Sequence, residues 1–190
     1  GQSLLVKTAE SFDAPVWNYF ETAGDAIVLE NWSLSFENGG PELPKSTELS
    51  ELKSWTKIDE TAANFSGTGI YETTFKNPDE SVEYWKLDLG DVRESAQVWL
   101  NDEYVGRYWS VPFELVLKDL KEGENKLTVK VTNLAANRLR AKEMRGEEWK
   151  TFYEINMVNK DYEKFDATKW DPMPSGLVSP VKLIPLKTLK

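Results

Sequence analysis

Acid–base and nucleophilic chemistry in this sequence falls to carboxylates and hydroxyls, because its 190 residues include neither histidine nor cysteine. That removes Ser-His and Cys-His triads, imidazole-ligated metals, thiolate-bound zinc and disulfides. What remains open is cleavage by paired acids. A carboxylate pair that splits a glycosidic bond stands about 5–5.5 Å apart for retention or about 6.5–9.5 Å apart for inversion. Glu147 with Glu148, and Asp88 with Asp91, are the evident pairs. Among 32 Asp and Glu residues some pair meets such a distance by chance, so solvated surface is the stronger reading of both. Oxygen ligands for Ca²⁺ are plentiful but lack EF-hand spacing. No cofactor is expected, and a structural calcium is only weakly supported.

Binding without chemistry has more to work with. Sugar rings are held by flat aromatics against their C–H faces and by planar polar groups on paired hydroxyls. Three clusters combine the two: Arg107-Tyr108-Trp109; Trp149 with Arg145, Glu147 and Glu148; and Trp170-Asp171 with Arg138 and Arg140. Each has a plainer alternative, since a long loop must bury aromatic anchors to stay ordered. On an acidic surface the two arginines can simply pair with carboxylates. Lys and Arg number 23 against 32 acids, a formal charge of −9 that repels nucleic acid. No apolar run approaches the ~18–20 residues of a membrane helix. No secretion signal is legible at residues 1–5, which lack a basic start and a long apolar stretch.

The elements that must position these residues alternate with period two. Trp32, Leu34 and Phe36; Tyr71, Thr73 and Phe75; Trp85, Leu87 and Leu89; Ala96, Val98 and Leu100; Phe113, Leu115 and Leu117; Leu127, Val129 and Val131; and Val181, Leu183 and Pro185 form such runs. Gly, Pro, Asn and Asp separate them, as at Asn101-Asp102. This is the signature of an all-β antiparallel sandwich or barrel. Eight or nine strands suit a jelly roll, with an immunoglobulin-like sandwich or a closed barrel as alternatives. Residues 37–66 read as a long connection, weakly helical over Leu49–Trp55. Residues 134–175 read as a long inserted loop, ordered by its aromatics, with a short helix over Ala141–Trp149. Trp85 and Trp99 are expected in the core.

Specific residues now add a resemblance. Phe65-Ser66-Gly67 with Tyr71 and Phe75 looks like the entry of the sugar-binding domains of family 2-type glycoside hydrolases. Leu87-Asp88-Leu89-Gly90, followed by Val92, Ala96, Val98-Trp99, Asn101 and Val105-Gly106, resembles the hairpin of that family. Asp102 replaces its usual Gly. Gly123-Glu124-Asn125-Lys126-Leu127-Thr128-Val129-Lys130-Val131-Thr132-Asn133 is similar to its closing strand. Asn133-Leu134, Asn137-Arg138-Leu139 and the run from Pro172 to Leu183 resemble the C-terminal region of bacterial α-L-rhamnosidase-like hydrolases. The resemblance covers residues 30–186 of a single sandwich domain, with residues 1–26 as a flank. It implies a galactose-binding-domain-like jelly roll with at most short helices, a non-catalytic carbohydrate-binding or accessory part of a larger secreted, periplasmic or cell-surface hydrolase of bacterial type. Its implied partners are carbohydrate and the catalytic domain of that hydrolase. The alternatives are a structural packing module without ligand and a catalytic fragment using a carboxylate pair.

Overall fold

The computed structural model describes Thr8, residues 18–150, Val158 and residues 161–189. The alternating runs form two antiparallel sheets packed face to face. The smaller sheet contains β1 (Tyr19–Thr22), β2 (Ile27–Val28), β6 (Tyr84–Asp88), β10 (Glu114–Lys118) and β13 (Lys182–Leu189), in the order β1-β13-β6-β10 with β2 also on β13. The larger contains β3 (Trp32–Gly40), β4 (Thr47–Leu49), β5 (Ser66–Lys76), β8 (Ser95–Leu100), β9 (Glu103–Tyr108) and β11 (Glu124–Thr132), in the order β4-β3-β5-β11-β8-β9. A short ribbon pairs β7 (Val92–Arg93) with β12 (Gly176–Leu177). The spatial neighbours β5 and β11, or β6 and β13, are far apart in sequence, as in a jelly roll. The all-β sandwich expected from the period-two runs is the fold.

Register follows side-chain type. β11 runs against β5 from Glu124↔Lys76 to Thr132↔Thr68 without a shift, turning Leu127, Val129 and Val131 inward. Asn101 and Asp102, with φ of 52° and 66°, make the two-residue turn from β8 to β9. Two consecutive left-handed residues match the twist of a hairpin, and Asn and Asp tolerate that region.

The core is built around Trp32, Trp55, Trp85, Tyr71 and Phe65, all essentially inaccessible. Trp55 Nε1 donates to Tyr71 Oη at 2.7 Å, and the same oxygen accepts from Leu177 N at 3.1 Å. Burial pushes the Tyr71 phenol up to about 12, against the lowering effect of these two donors. Gly176, at φ +90°, lies against this pair: a Cβ there would collide with Tyr71 Oη and the Trp55 indole.

Three expectations are corrected. Trp99 is only half-buried and lies on the outer face of the larger sheet, edge-on to Tyr104 and with Lys130 Nζ 5.5 Å from its ring centre. It follows Val98, which faces inward, so alternation turns it outward. The helix expected at Ala141–Trp149 is α2 (Ala136–Met144), because Gly146 takes the left-handed conformation just past the Arg145 C-cap and stops it. Leu49–Trp55 is not helical: Leu49 ends β4, and Trp55 opens a 3₁₀ turn to Lys57 that precedes α1 (Glu60–Ala63). The connection expected at 37–66 therefore holds the end of β3, then β4, this turn and α1. Residues 151–157, 159 and 160 of the 134–175 loop lie outside the described residues, as do 1–7 and 9–17 of the flank.

Candidate functional site

Strand direction gathers the loops at one end of the sandwich. β3 ends there at Gly40, β5 begins there at Ser66, β9 ends there at Tyr108 and β11 ends there at Thr132. Pro41–Leu43, α1, the 109–113 connection, α2 and the segment after it are consequently carried on the same rim.

Four asparagine and serine side chains tie this rim to the sheets. Asn133 Oδ1 accepts from Gly67 N at 3.0 Å, and its Nδ2 donates to Phe65 O at 2.9 Å and Ser175 Oγ at 3.1 Å. Buried Asn137 pairs with the Met173 backbone in both directions at 2.7 Å. Ser175 N donates to Ser54 Oγ at 3.1 Å, while Ser175 O accepts from Trp55 N at 3.0 Å. The far end of the long loop is thereby fastened to α2 and the core.

On this frame Trp149, Phe165 and Trp170 form an edge-to-face row, with ring centres 5.7 and 5.4 Å apart. Trp149 is half-buried, and its Nε1 donates to Glu143 Oε1 at 2.7 Å. Lys150 Nζ lies 2.9 Å from that carboxylate, donates to Phe165 O at 3.2 Å and sits 5.3 Å from the Phe165 ring centre. Arg140 Nε donates to Trp170 O at 2.7 Å. Trp170 stays 39% exposed beside exposed Asp171.

The structure thus brings Arg140, Trp149, Trp170 and Asp171 onto one surface, joined through Phe165. Phe165, Glu143 and Lys150 were not among the sequence candidates. A carboxylate six residues from the indole it holds leaves no periodic signal. Arg138 goes elsewhere, its guanidinium against the Gly40 backbone, where a Cβ would stand 3.3 Å away. Arg107 lies on the outer sheet face opposite Gln97; with that amide oxygen turned toward it, the oxygen accepts from Nε at 3.3 Å and Nη2 at 3.0 Å. Trp109, past the end of β9, is 76% exposed, with Val111 also exposed in the same connection. Arg145 and Glu147, expected beside Trp149, instead pair with each other at 2.6 Å.

The acid pairs have local duties. Asp88 Oδ1 accepts from Gly90 N at 2.9 Å, and Asp91 pairs with Arg93 at 2.7 Å. Among the described residues, the carboxyls displaced from their ordinary pKa are Glu72, Asp79, Glu147 and Asp166, and all move downward. For Glu147 the main cause is the Arg145 hydrogen bond. Among the described residues no group of three or more acids is arranged to hold a metal ion.

No family model matches the chain. It is 38% identical over 178 residues to the "Putative beta-glucuronidase" of Formosa agariphila, a match spanning 83% of this chain but only 15% of that protein. Among solved structures, a rhamnosidase from Novosphingobium sp. PP1Y superposes with a TM-score of 0.64 at 27% identity, covering 90% of this chain and 16% of that one. A GH2 beta-galacturonidase from Eisenbergiella tayi, at 19% identity and a TM-score of 0.54, covers 87% of this chain and 25% of its own, a likeness of fold. The chain is a β-sandwich of the type found within rhamnosidase-like and family 2-type glycoside hydrolases.

Proposed function

We propose that the chain is a non-catalytic carbohydrate-binding or accessory domain of a larger, exported glycoside hydrolase. The observation that carries this reading is the rim itself. A rigid sandwich of the hydrolase-associated type presents Trp149, Trp170 and Asp171 side by side, with Arg140 holding the Trp170 backbone and Phe165 bracing both rings. Fixed aromatic surface beside polar groups suits a sugar ring, because stacking requires a ring plane already in place. Trp109 is a second stacking candidate on the same rim.

Titration with mono- and oligosaccharides, followed by tryptophan fluorescence, tests the reading. Affinity is expected near millimolar, about −4 kcal/mol, as suits a shallow site. Trp170→Ala should weaken binding at least several-fold while the protein stays folded. Equal binding by Trp109→Ala, Trp149→Ala and Trp170→Ala variants would remove the aromatic rim from the site.

A second reading, a packing module without ligand, has its own support. Leu43, Val111, Leu134 and Met173 are exposed on or beside this rim, an apolar scatter that a neighbouring domain would cover. Failure to bind any sugar, with the rim folded, would favour it.

A further inference from the structure

One hollow on the rim lies outside the aromatic row. It encloses about 350 Å³ and is lined by Pro41, Glu42, Glu60, Thr61, Asn64, Arg145 and Glu147. That volume falls within the range of about 300–1,000 Å³ common to small-molecule sites. Three separately anchored elements build it. Asp59 caps α1 by accepting from Ala62 N at 2.8 Å, which fixes Glu60, Thr61 and Asn64. Pro41 and Glu42 follow the end of β3, where Arg138 packs on Gly40. Arg145 caps α2 and is clamped by Glu147 at 2.6 Å, with Lys142 3.5 Å from the other Glu147 oxygen.

The lining has the chemistry of a polyhydroxylated ligand. One guanidinium N–H is engaged by Glu147, leaving further donors on the same planar group, and Asn64 offers both a donor and an acceptor. Three carboxylates and Thr61 supply acceptors, and Pro41 an apolar surface. The carboxylates are not convergent: no acid grouping among the described residues is arranged to hold a metal ion. A cation is therefore the poorer occupant, and separated hydroxyls the better one. Charge then decides between sugars. Glu42, Glu60 and Glu147 stand against Arg145 in the lining and Lys142 3.5 Å from Glu147, a majority of one acid, and all three act on the Arg145 guanidinium, raising its pKa, Glu147 most strongly. A uronate entering here would meet excess negative charge.

We infer that this hollow is a subsite for a neutral pyranose, selecting against its uronic acid counterpart. The inference rests on the carbohydrate-binding reading above and adds a second sugar position, lined by none of the rings of the Trp149–Trp170 row. Methyl β-D-glucopyranoside and methyl β-D-glucuronide differ only at C6, and methyl α-L-rhamnopyranoside adds a second neutral ring. Saturation-transfer NMR and calorimetric titration of the whole chain with these three probes read affinity directly. The expected result is binding of at least one neutral glycoside, five-fold or more tighter than the glucuronide. Arg145→Ala and Asn64→Ala should each weaken it ten-fold or more. The Glu42→Gln/Glu60→Gln double variant, at two exposed positions, should narrow the neutral-to-uronate ratio toward one. Lys187→Ala, on β13 where Lys187 pairs with Glu21 of β1, should leave this binding unchanged.

A neutral sugar lost on Trp170→Ala and retained on Arg145→Ala would overturn the subsite while leaving the carbohydrate reading intact. A glucuronide bound more tightly than the glucoside, and lost on Arg145→Ala, would overturn the stated class. Binding of none of the three by the folded protein would overturn the subsite; failure of the wider sugar titration as well would overturn the carbohydrate reading.

Discussion

Trp85 is 1% exposed in β6, between Leu117 on one side and Pro185 on the other, so Trp85→Ala opens a large void. The expected loss is ~3–5 kcal/mol, read from the urea midpoint. Trp99→Ala, on the outer sheet face, should cost no more than ~1–2 kcal/mol. Trp85 Nε1 has no hydrogen-bond partner among the described residues, so Trp85→Phe should cost clearly less than Trp85→Ala. Tyr71 gives a pH signature. Its phenol titrates near 10 when unfolded and about 12 when folded, so the folded state favours the neutral form. That contribution, ~2–3 kcal/mol, is whole below pH 10 and is lost as pH rises through about 12. Tyr71→Phe should be less stable at neutral pH, because Trp55 Nε1 and Leu177 N lose their acceptor. It should also show a shallower decline between pH 10 and 12 in denaturation series. An equally steep decline would assign that loss to other groups.

At the scale of elements, α2 and the segment 173–175 are one unit. Asn137 is the hinge pin: it is buried and bonds the Met173 backbone twice. Asn137→Ala takes the acceptor from Met173 N and leaves Met173 O only the Ser175 Oγ donor at 3.3 Å, and should cost ~1–3 kcal/mol. Hydrogen exchange should quicken at Met173 and Ser175 before it quickens in β5 or β11. The strands, their inward faces and the turn at Asn101-Asp102 were legible in the sequence, since period two and turn chemistry are local. Trp99 departs from expectation for a reason that is also local: a large ring favours burial, while its place beside inward-facing Val98 turns it outward. The helix ends earlier than expected because Gly146 takes the left-handed conformation within residues 141–149. The rim was only partly legible. Trp149, Trp170 and Arg140 were recognised by type, but their connection through Phe165 and the hollow of Glu42, Glu60 and Arg145 join distant parts of the chain. Such a juxtaposition has no period.

For the molecule as a whole, aryl glycosides, including the α-L-rhamnoside and β-D-glucuronide, should not be turned over by this chain alone. Turnover abolished by a single Asp or Glu substitution would contradict that expectation. The chain carries nine negative charges in excess, so added salt should change its sugar affinity little for neutral ligands and more for anionic ones.

The pairing of β1 with β13 has a mechanical consequence. Tyr19 lies opposite Leu189, at the end of the sandwich away from the rim, and the two strands are antiparallel. Tension applied between these two residues pulls the strands apart sideways, opening the Tyr19↔Leu189 pair first and Thr22↔Leu186 last. Bonds loaded one after another in this unzipping direction yield at lower force than bonds sheared together. A stretched molecule therefore surrenders its outer strand early, as a fuse, while β5, β11 and the loops they carry keep their shape.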